Sequence, residues 1–245
     1  MKHKHTILPA RVFGLLPALV FAGSLHAAAP VTIVTDQVES TTDWSRSDTS
    51  VYTNNRFVSA STTAPTPAEV GLAPTAGSAF WLAGGAAKSR GIARLFAGEV
   101  FAVGTYTVTF DMGRVVTTLF TDFPTFTIAL VADTNNDSAY AWNERVTTDV
   151  FTNPTPVAGT WEKWTYTFEI TEDTKNANSL SVIGTTLGFV VASTVTATSG
   201  YAFDNLVITY TAAPVPEPGM VAALAGLTAL GAAICVRRFR KVRVY

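Results

Sequence analysis

The 245-residue sequence contains one cysteine and three histidines, and all four lie near its ends. The histidines are His3, His5 and His26, and the cysteine is Cys235. Residues 30–212 therefore lack the groups for Ser–His–Asp or Cys–His catalysis and for zinc or copper sites with His or Cys ligands. They also lack a disulfide, so this segment must be stabilised by an apolar core.

Basic residues are also scarce in this part of the chain. Residues 30–219 contain nine Lys and Arg against eighteen Asp and Glu, a formal net charge of −9. The whole sequence has a net charge of only −1, because three cations precede this segment and five follow it. An acidic surface repels phosphate backbones, so nucleic acid is not expected as a partner. It suits a protein that meets neutral sugars or divalent cations.

The C-terminal end of the sequence has three parts. Residues 213–219 are rich in proline, residues 220–236 form an uncharged apolar run, and a basic cluster follows: Arg237, Arg238, Arg240, Lys241 and Arg243. A run of 17 residues is at the short end of what a membrane-spanning helix needs. Because basic flanks stay in the cytoplasm, we expect a transmembrane helix over 220–236 and a cytoplasmic tail over 237–245.

This order resembles the PEP-CTERM sorting signal of Gram-negative bacteria. The resemblance rests on Val215, Pro216, Glu217 and Pro218, with the apolar run and the arginines directly after them. It implies that the tail holds an exported precursor in the inner membrane until an exosortase, a membrane-embedded transpeptidase, cuts near the motif. The membrane anchor would then be transient, and the protein would reach the cell surface or the extracellular matrix.

The N-terminus has the organisation of a secretory signal peptide over residues 1–29. Lys2, Lys4 and Arg11 form a basic region, residues 12–22 are a short apolar region, and residues 27–29 are alanines suited to signal peptidase. Residues 30–212 are then the part that folds, as one exported domain.

The pattern of residues 30–212 predicts an all-β domain. In residues 106–110 and 164–168 large side chains alternate with threonine, as in a strand with one buried face. Several such runs separated by Gly, Pro and Asn turns indicate an antiparallel β-sandwich. Residues 62–74 are expected to form an exposed loop, and residues 39–61 are not assigned. The expected strands are Val31–Thr35, Ser78–Leu82, Thr105–Met112, Thr125–Ala132, Trp161–Ile170, Leu187–Ala192 and Ala202–Tyr210.

The order of the strands resembles the jelly rolls of carbohydrate-binding modules and galactose-binding-like domains. The resemblance rests on residues 97–111, 159–168 and 201–208. It implies a domain that binds polysaccharide. It also implies that Asp204 helps to hold a structural Ca²⁺ with an N-terminal carboxylate opposite. Asp36 and Glu39 are the candidates for that carboxylate in this sequence, and the resemblance itself assigns only Asp204. The alternative is that Asp204 satisfies polar groups at a strand end.

Aromatic side chains are the candidates for stacking on sugar rings. Trp161 and Trp164 cannot face the same side of one strand, so we assign Trp164 to the core and Trp161 to the start of the strand. Trp142 lies in a polar segment with Tyr140 beside it. The carbohydrate candidates are thus Tyr140, Trp142 and Trp161, and core packing is the alternative for each.

An acidic segment gives a second candidate for calcium. Asp133, Asn135, Asp137 and Glu144 stand at positions one, three, five and twelve, a spacing that resembles an EF-hand loop. Ser138 replaces the expected glycine, and no helices are predicted on either side. The alternative is a turn in which Asn and Asp side chains bind their own backbone.

Three functions remain open at this point. Polysaccharide binding by an exported surface or matrix protein is the first, and a structural or adhesive surface protein without a sugar site is the second. A small glycoside or polysaccharide hydrolase is the third and least expected, because no pair of carboxylates stands out on facing strands. No catalytic residue is predicted.

Overall fold

The computed structural model describes residues 28–39, 43–46, 56–59, 66–84, 88–116, 122–146, 154–195, 199–214 and 225–232. Residues 27–214 form one compact unit, and residues 1–26 with 215–245 form another. In the second unit, residues 225–232 are helical and exposed. Within the residues that the structure describes, no helix has the length and apolar character needed to cross a membrane. Four predicted features lie outside the described residues: the signal peptide up to residue 27, the sorting motif 215–218, the remainder of the apolar run and the basic cluster.

Two antiparallel sheets build the unit of residues 27–214. Their strands are β1 (Val31–Asp36), β2 (Ser45–Arg46), β3 (Arg56–Ser59), β4 (Ala79–Gly84), β5 (Lys88–Val100), β6 (Gly104–Gly113), β7 (Thr125–Asp133), β8 (Arg145–Val146), β9 (Trp161–Ile170), β10 (Thr186–Val195) and β11 (Gly200–Ala212). The six-stranded sheet has the order β3-β4-β11-β6-β9, with β1 also paired to β11, and the five-stranded sheet has the order β2-β5-β10-β7-β8. The prediction of an all-β, antiparallel fold is confirmed.

The core lies between the sheets and follows from the alternation in the sequence. Over residues 104–110 of β6 and 164–170 of β9 every second residue is buried, while the threonines between them face outward. Phe110 is fully buried at the centre of this core. Its ring packs on rings from both sheets, those of Trp164, Tyr166, Phe189 and Phe203.

The described residues contain all seven predicted strands and four that were missed. Three of the missed strands are short, but β5 is 13 residues long. Ile92 and Phe96 of β5 face the core between the sheets, while Ala93 and Leu95 belong to a second apolar cluster. Apolar side chains therefore lie on both faces of β5, which removes the alternation on which the prediction depends.

The prediction of an exposed loop over residues 62–74 is wrong for its described part. A single helical turn, α1 (Pro67–Val70), begins after Thr66, whose side chain accepts a hydrogen bond from the Glu69 N–H while the Glu69 carboxylate accepts one from the Thr66 N–H. Val70 and Leu72 are buried against Phe80 and the outer side of the six-stranded sheet. The capping box closes the turn and directs these side chains onto the sheet.

Candidate functional site

Two of the three carbohydrate candidates, Tyr140 and Trp142, lie in the loop between β7 and β8, at an edge of the five-stranded sheet. A 3-10 turn, Trp142–Glu144, closes this loop. Trp142 is 43% exposed, whereas Trp44, Trp81 and Trp164 are each 4% exposed. Among the tryptophans that the structure describes, Trp142 is thus the one whose ring is broadly accessible.

Arg145 supports the Trp142 ring from one side. Its guanidinium carbon lies 3.6 Å from the ring centroid, and its Nε donates a hydrogen bond of 2.6 Å to the Trp142 carbonyl oxygen. Partial burial lowers the pKa of Arg145, but a guanidinium remains charged at neutral pH. Because the guanidinium covers one face of the indole, the exposed surface of Trp142 lies on the other face and the edges.

Tyr140 lies under the loop instead of presenting its ring. It is half-buried and packs against the second apolar cluster, which contains Ala93, Ala129, Val131, Val190 and Ala192. Its hydroxyl is buried and has no hydrogen-bond partner among the described residues. This burial raises the pKa of the Tyr140 phenol. Tyr140 therefore packs on the sheet and does not extend the exposed aromatic surface.

Glu144 holds the loop together from inside. It is buried, and its Oε1 accepts hydrogen bonds from the Thr134 N–H at 3.0 Å, the Thr134 hydroxyl at 3.2 Å and the Asn135 N–H at 3.4 Å. Its Oε2 accepts one from the Ala141 N–H at 3.3 Å. The carboxylate thus fixes both ends of the loop that carries Trp142.

Asp133 fixes the tip of the loop, also by accepting hydrogen bonds from backbone N–H groups. It accepts hydrogen bonds from the Asp137 N–H at 3.2 Å and the Ser138 N–H at 3.1 Å, and Asn135 Nδ2 donates to Asp137 at 2.9 Å. Ser138 has a φ of 59°, the left-handed conformation for which the EF-hand pattern uses glycine. The four residues of the calcium pattern therefore share one loop, with their oxygens directed at its N–H groups.

Asp204 is fully buried on β11 and binds a neighbouring segment. Its Oδ2 accepts hydrogen bonds from the Thr75 N–H at 2.7 Å, the Thr75 hydroxyl at 2.9 Å and the Ala76 N–H at 3.2 Å. Its Oδ1 accepts one from the Asn205 N–H at 2.8 Å. Burial raises the pKa of Asp204 to about 6, although these donors favour the charged form. The carboxylate ties residues 75–76 to the closing strand.

The calcium candidates use their oxygens for hydrogen bonds within the protein. Asp36, the proposed partner of Asp204, accepts hydrogen bonds from Val38 and Trp44 and pairs with Arg94, while Glu39 binds the Ser78 N–H. Across the described ranges, no three Asp, Glu, His or Cys side chains are grouped to hold a metal ion. The oxygens of both candidates accept hydrogen bonds from the protein in this arrangement, and calcium binding stays a prediction.

Trp161 packs on the six-stranded sheet. It is half-buried, its indole N–H donates a hydrogen bond of 2.8 Å to the Ala73 carbonyl, and its ring meets that of Phe80 edge-on at 5.4 Å. This ring therefore anchors the segment after α1, and the structure does not bring it together with Trp142.

A cross-strand polar cluster was not predicted. Lys163 on β9 lies opposite Asp111 on β6, with Nζ 2.9 Å from Oδ1, and Asn205 Nδ2 donates to the other oxygen at 3.0 Å. Burial acts to raise the pKa of Asp111, but the bonds from Lys163 and Asn205 leave it below its ordinary value. Strand register brings these residues together, and the sequence pattern does not show the register.

No protein-family model matches the chain, and no curated protein sequence matches it. Among solved structures, the Stig cyclase Fisc from Fischerella sp. TAU, in complex with (3Z)-3-(1-methyl-2-pyrrolidinylidene)-3H-indole, is 17% identical with a TM-score of 0.51, covering 80% of this chain and 93% of that one. The CBM22-1 xylan-binding domain of Paenibacillus barcinonensis Xyn10C is 15% identical with a TM-score of 0.45, covering 77% and 99%. The likeness to the cyclase shows a shared fold alone.

Proposed function

We propose that this chain is an exported surface or matrix protein whose β-sandwich binds polysaccharide through Trp142. The observation that carries the proposal is the accessible indole, 43% exposed, on a loop fixed by the buried Glu144. An aromatic ring with a free face offers an apolar platform to the C–H face of a pyranose, and a fixed loop loses little conformational entropy on binding. The alternative, a structural or adhesive protein without a sugar site, predicts that Trp142 contributes nothing to glycan binding.

Trp142→Ala is expected to reduce polysaccharide binding at least about tenfold, because a desolvated aromatic contact contributes about 1.4 kcal/mol or more to affinity. Glycan arrays and titration calorimetry on the purified full chain measure this. Val157→Ala is the matched control, since Val157 is an exposed apolar residue on another loop. Binding that is equal in the two variants would contradict a role for Trp142. A chain that binds no glycan would favour the structural or adhesive alternative.

Hydrolysis is distinguished from binding by turnover. The protein is proposed to be a non-catalytic binding protein, so incubation with the bound polysaccharide should release no shorter products. Product release that a single Asp or Glu substitution abolishes would instead support the hydrolase.

The proposed route to the surface rests on the two ends of the sequence. Signal peptidase would remove residues 1–29, residues 220–236 would hold the precursor in the inner membrane with residues 237–245 in the cytoplasm, and an exosortase would cut near residues 215–218. Replacing Pro216, Glu217 and Pro218 with alanine is expected to leave an uncut precursor in the membrane fraction. Immunoblotting of fractionated cells measures this, and normal processing of the variant would refute the sorting assignment.

A further inference from the structure

Among the described residues, Arg145 is a cation without a carboxylate partner. In the part of the chain that the structure describes, Arg94 pairs with Asp36 and Asp43, and Lys163 pairs with Asp111, whereas Arg145 forms no ion pair. Glu144, its neighbour in sequence, directs both carboxylate oxygens at the N–H groups of the loop. An unpaired arginine is unexpected in a segment with twice as many carboxylates as cations.

The orientation of Arg145 leaves its outer donors free. Its Nε donates to the Trp142 carbonyl oxygen, and its guanidinium carbon lies 3.6 Å from the centroid of the indole ring. The two Nη nitrogens carry four N–H donors, which have no hydrogen-bond partner among the described residues. The site therefore places an exposed aromatic ring next to a charged fork whose geometry matches a carboxylate.

We propose that Trp142 and Arg145 form a subsite for a uronic acid residue of an anionic polysaccharide. This inference rests on the proposed function and names its ligand class. The sugar lies along the exposed edge of the Trp142–Arg145 pair, because the indole would separate the guanidinium from a sugar on the opposite face. Its C–H groups contact the edge of the indole, and its carboxylate accepts hydrogen bonds from the Nη groups. A neutral sugar would use the ring alone, which gives no role to the fixed, unpaired guanidinium.

The acidic character of the domain is compatible with an anionic ligand at this position. At physiological ionic strength charges beyond about 8 Å are strongly screened, so nearby groups decide the local interaction. The carboxylates of this loop, the buried Asp133 and Glu144 and the exposed Asp137, accept hydrogen bonds from its own N–H groups. The guanidinium next to the exposed ring is then the charge that a bound carboxylate meets first.

The test uses polygalacturonate and its fully methyl-esterified form, in which each carboxylate is replaced by an uncharged methyl ester. The purified full chain is expected to bind the acid form about tenfold more tightly, as one charge-assisted hydrogen-bonded pair provides. Arg145→Gln should lose this preference while keeping binding to the ester, and Arg145→Lys should retain part of it. Lys163→Gln, which removes the same charge from the other sheet, should leave the preference unchanged.

The outcomes separate this inference from the proposed function. Equal affinity for the two polymers, or a preference that survives Arg145→Gln, overturns the uronate subsite even if Trp142→Ala shows that glycan binding is real. Absence of binding to either polymer and to every neutral glycan overturns both proposals. If Arg145→Gln fails to fold, as judged by thermal unfolding, the comparison of the two polymers on the unaltered chain and on Arg145→Lys decides the matter.

Discussion

Asp204→Ala is expected to lower the free energy of unfolding by about 3–4 kcal/mol, because it leaves several donors without an acceptor at once. The affected groups are the N–H groups of Thr75, Ala76 and Asn205 and the Thr75 hydroxyl. Asp204→Asn retains one acceptor oxygen and should lose less. Denaturant titration with an unchanged m-value measures the effect. The matched control is Asp137→Ala, which removes an exposed carboxylate; a loss no larger than in this control would contradict the structural role of Asp204.

The same variants separate hydrogen bonding from charge when stability is followed against pH. The folded-state pKa of Asp204 is about 6, whereas an unfolded aspartate titrates near about 3.9. Between these values the folded state binds the proton more tightly, so this group makes the free energy of unfolding fall as pH rises from about 4 to about 6 and remain level above that. Both substitutions at position 204 should remove this contribution, and an unchanged pH profile would contradict it.

The predictable parts of the fold are those in which one face of a strand is buried. The prediction for Trp161–Ile170 has the bounds of β9, because Trp164, Tyr166 and Phe168 alternate with polar residues. The sequence does not show β5 in this way, since apolar side chains lie on both of its faces. An alternating pattern of apolar and polar residues arises when one face of a strand is exposed. A strand with apolar side chains on both faces lacks this pattern.

Within the candidate site, the sequence indicates exposure better than contacts. The polar neighbours of Trp142 pointed to an accessible ring, but Tyr140 beside it is half-buried on the sheet. The hydrogen bond between Asp204 and Thr75 joins residues 129 positions apart, and no local pattern predicts such a pairing. The stacking of Arg145 on Trp142 is local in sequence, yet it depends on the turn that the buried Glu144 imposes.

Phe110→Ala is expected to destabilise the protein by about 3–5 kcal/mol, the usual cost of removing a buried phenylalanine that its neighbours cannot replace. Phe110 is fully buried, and its ring lies 5.1 Å from Phe203 on the same sheet and 5.7 Å from Phe189 on the facing sheet. The substitution would therefore leave a cavity between the two sheets at this position. Chemical denaturation measures the loss, with Thr109→Ala as the control because that neighbour faces the other side of β6. Equal effects of the two substitutions on stability would contradict the packing of Phe110 in the core. Retained glycan binding by the folded fraction of Phe110→Ala would show that the Trp142 loop depends on the core for stability and not for its shape.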